Sequence, residues 1–350
     1  MKSLNSRQSL AALGLSLLFA SACTTGGGTT PAPTWSDHPA TPASTLTPAR
    51  TLTPTPVATE PQPAFPRTVI DDEGTSVEIA SEPRRIVSLT PAATEIVFEL
   101  GAGEHMVGGT DSDNYPPEAA ALPDVVQGVT VLTEQVVDLE PDLVLAGGNN
   151  FTPPAEVQRL RDLGIAVLVV YPETVDQVTD DITLVGTAIG RDQSAADIVG
   201  AMSARIDGVV DAVEGLAQPR TFYEIGYGPD IYGPAPDSFI EDMVNLAGGD
   251  AIVTDDPAVF SIPLEQLVSR DPEVIVLGDA AYGTCPDGVA TRPGWSRMSA
   301  VVKRRVWPVD DTIVTRPGPR LGEGLAALAL AIHPDAAIDP PATGGQYCTE

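Results

Sequence analysis

One stretch constrains this chain more than any other: residues 191–217, RDQSAADIVGAMSARIDGVVDAVEGLA. Ile198, Met202, Ile206, Val209, Val213 and Leu216 recur at steps of three and four, the spacing that lines one face of an α-helix. Asp192 or Ser194 can cap its start, and no proline interrupts it before Pro219. At a rise of about 1.5 Å per residue, such a helix spans roughly 38 Å, the width of a small domain. Taken alone it reads as an amphipathic surface helix; its flanks give it a larger role.

Upstream, Glu134 opens EQVVDLEPDLVLAGG, and downstream Glu265 opens EQLVSRDPEVIVLGD. Both run Glu-Gln, two apolar positions, a polar step, a turn centred on Pro141 or Pro272, then a buried-strand run ending at Gly147 or Gly278. PRRIVSLTPA from Pro83 and PRTFYEIGYG from Pro219 keep the same order, as do LGAG ending at Gly103 and LAGG ending at Gly249. Self-similarity of this kind predicts two lobes built to one plan, with the helix between them. Strand and helix patterns alternate throughout, which predicts an α/β fold with parallel sheets.

Segment boundaries follow from composition. Lys2 and Arg7 precede LAALGLSLLFA, an apolar run too short for a spanning helix. It ends in Ala20-Ser21-Ala22-Cys23, which resembles a bacterial lipoprotein signal with Cys23 as the lipidated residue, although Ala20 stands where leucine is usual. An ordinary secretory peptide cut near Ala22 is the alternative. Residues 24–64 are rich in Thr, Pro, Ala and Gly and read as an extended tether. The expected domains are thus 1–23 signal, 24–64 tether, 65–190 N-terminal lobe, 191–217 interlobe helix, 218–335 C-terminal lobe and 336–350 tail. A lipidated Cys23 would hold the protein outside the cytoplasm at a membrane. It would also leave Cys285 and Cys348 to pair, with two buried free thiols as the alternative.

The 350 residues carry 48 acidic and 19 basic side chains, a formal net charge of −29, which argues against nucleic acid as a partner. Only three histidines are present, and no HExxH, GxSxG, P-loop or CxxC pattern occurs. Neither a resident metal or cofactor nor an enzyme is expected. A carboxylate-dependent hydrolase using the cleft is the runner-up, followed by a sensor or adhesion module. Folds of this class bind ligands in loops at the carboxyl ends of their strands. Those loops hold Thr90, Tyr115, Asn149, Asn150, Tyr223, Tyr227, Tyr232, Phe260 and Arg316, the candidate ligand contacts. Any one of them read alone is more simply a packed or turn residue. Arg292, Arg297, Lys303, Arg304, Arg305, Arg316 and Arg320 concentrate positive charge in an acidic chain.

PRRIVSLTPAATEIVFELG, the TDSDNYPP loop, EQVVDLEPDLVLA, the long helix, FSIPLEQLVSRDPEVIVL and GWSRMSAVVKRRVWPVDDTIVTRPGPR closely resemble the iron-siderophore/cobalamin class of ABC-transporter substrate-binding proteins. The resemblance spans about residues 65–335 in order. It implies the class III periplasmic-binding-protein fold: two Rossmann-like lobes on one backbone helix, closing to a limited degree on a metal chelate. It implies a monomer serving a permease dimer with its ATPase. In that family a glutamate on each lobe meets permease arginines, which places the docking role on Glu134 and Glu265. Tyr115 matches one of the aromatic positions of cobalamin-binding members and Phe260 lies near another. The tryptophans of the cobalamin receptor are missing around Val126 and Gly147–Gly148, and Arg316 would suit an anionic ferric siderophore. Corrinoid and ferric siderophore both remain open, with haem behind them.

Overall fold

The computed structural model describes residues 65–148, 151–345 and 347–348. The signal and tether segments, Cys23, Asn149 and Asn150 lie outside the described residues.

The chain enters through an antiparallel hairpin, β1 (Arg67–Ile70) and β2 (Ser76–Ile79), which turns at Gly74 with a positive φ of 76°. The N-terminal lobe then alternates strand and helix: β3 (Ile86–Ser88), α1 (Pro91–Glu99), β4 (Met106–Thr110), β5 (Asp124–Gln127), β6 (Thr130–Val131), α2 (Thr133–Asp138), β7 (Leu143–Ala146), α3 (Pro154–Asp162), β8 (Val167–Val169) and α4 (Val175–Ala188). Local chemistry marks the helix ends. Proline occupies the first position of α1, where its missing N–H is no loss, and Thr174 with Gln177 forms a reciprocal capping box on α4. Strands order as β6-β5-β4-β3-β7-β8, parallel except for the β5–β6 pair.

The long helix follows as α5 (Asp192–Val213), 22 residues and about 33 Å at the helical rise. It stops short of the expected end, because Glu214 leaves the helical region and Gly215 turns at φ 74°; Leu216 is 43% exposed beyond it. Neither Asp192 nor Ser194 caps the start. Arg191 holds that place without a side-chain capping bond, its guanidinium donating to Glu82 at 3.2 Å, and the Asp192 carboxylate is taken by Arg67 at 2.9 Å on both oxygens.

Beyond it come β9 (Arg220–Glu224), β10 (Gly226–Tyr227), β11 (Ile231–Tyr232), α6 (Phe239–Leu246), β12 (Asp250–Ala251), α7 (Leu264–Arg270), β13 (Val274–Leu277), α8 (Pro286–Ala290), α9 (Ser299–Val302), β14 (Val306–Pro308), α10 (Asp311–Val314) and α11 (Leu321–Ile332). The main sheet of this half is all parallel, in the order β12-β9-β13-β14. With β5 and β6 at the edge of the first sheet and the β10–β11 hairpin set aside, the four remaining strands of each half, β4-β3-β7-β8 and β12-β9-β13-β14, share one arrangement in chain order: second, first, third, fourth. The repeat in the sequence is a repeat in the fold.

α5 packs on α4 and on α11, one helix from each half. Both approaches are close because a glycine stands at each: a Cβ on Gly186 would lie 2.5 Å from Ala195, and one on Gly322 would lie 2.8 Å from Arg205. A single hydrophobic cluster therefore runs from Val69, Ile86 and Ile182 through Met202 and Val209 to Met243, Val276 and Leu325. Packing at interior density couples both halves to one rod. No helix among the described residues is long and apolar enough to cross a membrane.

Candidate functional site

The segments that leave the carboxyl ends of the two parallel sheets meet. Past β4, the chain reaches Ser112, Asn114 and Tyr115; past β14 and α10, it reaches Arg316 and Arg320. Glu95, in α1 and only 3% exposed, accepts from Arg316 Nη1 at 3.0 Å and from Arg320 Nε and Nη2 at 2.8 and 2.6 Å. Arg316 also donates to Asn114 Oδ1 at 2.7 Å and to the Ser112 carbonyl at 3.0 Å, while the Arg320 guanidinium stacks 4.0 Å from the Tyr115 ring centre. Glu95, Ser112 and Asn114 of the N-terminal half thus meet Arg316 and Arg320 of the C-terminal half directly, and Val175 N donates to Asp242 at 3.0 Å at a second crossing.

Three expected ligand contacts, Tyr223, Thr90 and Arg316, are engaged within the protein itself. Tyr223 is 1% exposed and belongs to the core. β9 has both edges paired, by β12 and β13, and its residues Thr221–Glu224 are all buried, so both faces are covered; the ring packs against the Gly278 backbone. Burial pushes its phenol well above the usual value. Thr90 is the N-cap of α1, buried, with its hydroxyl oxygen accepting from Ala93 N at 3.3 Å. Arg316 directs three donor contacts to Glu95, Asn114 and the Ser112 carbonyl, and a nearly buried Glu95 would be costly without a cationic partner. Tyr115 is half-buried beneath Arg320.

Tyr227, Tyr232 and Phe260 are brought together. β10 pairs with β11, setting Tyr227 opposite Ile231; Tyr232 bridges to Ser261, and Gly233 N donates to the Phe260 carbonyl at 2.9 Å. The three residues are 42%, 40% and 44% exposed; Tyr227 shares a face of the hairpin with Ile231, and Tyr232 takes the opposite face. Two further aromatics were not singled out from sequence. Phe151 follows β7 and Tyr171 follows β8, with ring centres 6.2 Å apart. Gly147 and Gly148 allow this approach, since Cβ atoms there would lie 2.8 Å from Phe151 and 2.5 Å from Tyr171. The Gly-Gly pair at the end of a buried strand was the available signal.

Beneath Tyr227 lies a buried ion pair that sequence reasoning also missed. Arg292 donates to Glu224 at 2.5 and 2.8 Å, with the two side chains 8% and 0% exposed. Its guanidinium lies 3.7 Å from the Tyr227 ring centre and 4.6 Å from that of Trp295. The concentrated basic segment is thus neutralised in part, with Arg297, Lys303 and Arg304 left exposed. Arg292, Arg316 and Arg320 are neutralised, Arg305 donates to the Ile332 carbonyl at 2.7 Å, and Lys303 and Arg304 precede β14 at its amino end.

Glu134 and Glu265 are each the second residue of a short helix, α2 and α7, and both are exposed. Neither carboxylate meets a cation among the described residues. Cys285 and Cys348 are joined in a disulfide that ties the tail to the C-terminal half. No group of three or more ligating side chains able to hold a metal occurs among the described residues. An acidic cavity of about 470 Å³ lies beside Gly148 and Tyr171, lined by Asp72, Glu173, Asp180 and Asp181. Burial, then the neighbouring Asp72 charge, pushes the Asp181 carboxyl up to about 8.

The sequence profile of the periplasmic binding protein family matches residues 86–312. The chain is 35% identical over 276 residues to the uncharacterised ABC transporter substrate-binding lipoprotein YvrC of Bacillus subtilis, covering 77% of this chain and 87% of that protein. It is 34% identical over 281 residues to a cobalamin-binding protein of Halobacterium salinarum, covering 77% and 75%. The crystal structure of the periplasmic vitamin B12 binding protein of Vibrio cholerae superposes with a TM-score of 0.64 at 25% identity, covering 72% of this chain and 97% of that one.

Proposed function

We propose that this chain, which belongs to the periplasmic binding protein family, captures a corrinoid in the gap between its halves and delivers it to an ABC importer. The carrying observation is the electrostatic state of the gap. Arg292, Arg316 and Arg320 are each committed to a buried carboxylate, while Tyr227, Tyr232, Phe260 and Phe151 leave aromatic surface open. A catecholate or carboxylate siderophore, or haem with its propionates, is best held by free guanidinium forks. A corrinoid carries uncharged amides around a broad apolar ring system, and ring faces with a few polar groups suit it. The relatives named for cobalamin and vitamin B12 binding support this choice.

In this reading α5 and the continuous core restrict the halves to small relative movement, so the cargo enters a largely preformed gap. Glu134 and Glu265 then present matching carboxylates to equivalent arginine patches on the two halves of a permease, whose ATPase drives release. A two-fold pair of permease subunits requires such duplication. Cys23, with the tether behind it, anchors the receptor as a monomer outside the cytoplasm. The gap is assigned no chemistry of its own.

The test is a fluorescence titration of the purified protein against cyanocobalamin, haemin and a panel of ferric siderophores, with product analysis of each mixture. Saturable quenching by the corrinoid alone, with every compound recovered unchanged, is the expected result. Preference for an anionic siderophore would overturn the cargo assignment, and a hydrolysed product would overturn the receptor reading.

A further inference from the structure

The buried Arg292–Glu224 pair sits where a stability argument does not require it. Removing two charges from water costs several kcal/mol per ion, and well-packed apolar replacements of such pairs are often neutral or stabilising. What the pair does geometrically is specific. Glu224 ends β9, a strand held by β12 on one side and β13 on the other, so its carboxylate is a fixed point. Both oxygens accept from Arg292, which takes the guanidinium plane out of free rotation. That plane lies 3.7 Å from the centre of the Tyr227 ring, and Trp295, wholly buried, meets the same ring edge-on at 5.7 Å between centres. Tyr227 belongs to a two-residue strand paired only with β11, so its backbone alone holds it weakly. Yet its ring is clasped by an arginine and a tryptophan while 42% of the residue stays open.

We infer that Arg292 is a positioning residue for cargo: pinned by Glu224 and backed by Trp295, it sets the orientation of the Tyr227 ring that forms part of the C-terminal wall of the gap. The inference rests on the corrinoid reading for its cargo but not for the ring geometry. A flat cation over an aromatic face contributes attraction without occupying the outward side, so the ring is ordered before cargo arrives. Preorganisation of this kind raises affinity by removing ordering cost rather than by adding contacts. Lysine would keep the charge next to Glu224 but cannot supply the planar fork and stack.

The test uses the full folded chain and four variants: Arg292→Lys, Tyr227→Ala, their combination, and the charge-free pair Glu224→Gln with Arg292→Met. Far-UV circular dichroism checks that each folds. Two readouts follow: near-UV circular dichroism of the cargo-free protein, which reports the Tyr227–Trp295 pair, and the Kd for cyanocobalamin. Arg292→Lys should change the near-UV spectrum and weaken binding about tenfold, as expected for a desolvated cation–ring contact. The charge-free pair should do the same with its melting temperature retained. In the Tyr227→Ala background, Arg292→Lys should cost little more. A loss of equal size in that background would mean a merely structural role and overturn the inference, as would an unchanged near-UV spectrum. Absence of cyanocobalamin binding by the unmodified protein, with the spectral change intact, would overturn the cargo reading while supporting the ring-fixing role.

Discussion

Glu140 and Asp271 stand at the same point of the two halves: each is left-handed at φ 45°, and each is followed by a proline, Pro141 or Pro272. Each also ends the turn after the helix bearing an exposed glutamate. An arginine from the first strand segment locks each one. Arg85 Nε donates to the Leu139 and Glu140 carbonyls at 3.0 and 3.1 Å, and Arg220 Nε donates to the Arg270 and Asp271 carbonyls, both at 3.0 Å. Cations favour the carbonyl-rich carboxyl ends of helices, so both mounts are stiffened by one device. Glu134 and Glu265 are therefore held on equivalent fixed platforms.

Replacing both glutamates should separate delivery from capture. Glu134→Ala with Glu265→Ala is expected to abolish uptake in liposomes carrying the importer and leave the cargo Kd unchanged. Removing each charge-assisted pair with the permease should cost about 1.5 to 3 kcal/mol of docking energy. Unaltered uptake by the double variant would remove the docking role.

Glu95 holds two arginines from the other half. Glu95→Ala leaves both guanidinium groups without their buried partner and should lower unfolding free energy by about 3 to 5 kcal/mol in a urea titration. Arg316→Ala alone should cost less, because Arg320 still meets both carboxylate oxygens. Equal losses for the two variants would show that the bridge does not work as a unit.

The Asp181 carboxyl titrates near 8 in the fold and near the ordinary carboxylate value when unfolded. Between those values the folded state holds a proton that the unfolded chain has released. Raising pH through this window therefore lowers stability, by about 1.4 kcal/mol per unit for one fully retained proton. Asp181→Asn removes this dependence. Its melting temperature should gain on that of the unmodified protein between pH 5 and pH 8.5, and a constant difference across that range would exclude the effect.

The Cys285–Cys348 bond closes a sequence separation of 63, for which chain entropy sets an upper figure of about 4 kcal/mol. The tail has other ties: Gly345 N donates to Asp310 at 2.5 Å and Ala342 N to Glu323 at 2.7 Å. Cys285→Ser with Cys348→Ser is accordingly expected to lower stability by about 2 to 4 kcal/mol while cargo affinity stays within twofold. Loss of binding would place the tail in the site.

Much of the architecture was legible because it was written twice. The Glu-Gln motifs, the acidic-Pro-acidic turns and the glycine stops each returned as matching elements, and the apolar steps of α5 marked the shared rod. Side-chain destinations were harder to read. Tyr223 and Tyr227 are near neighbours on one segment, yet one lies in a strand covered on both faces and the other on the small hairpin beyond it. Arg316 looked like a free cation because Glu95, its partner, sits 221 residues earlier. Thr90 served its own helix, a local role that its position before Pro91 already signalled.

The most direct measurement is isothermal titration of cyanocobalamin into the purified chain at several temperatures. Saturation at one corrinoid per chain is predicted, with a negative heat-capacity change from burial of ring surface. Absence of corrinoid heat alongside stoichiometric uptake of an anionic ferric siderophore would contradict the account.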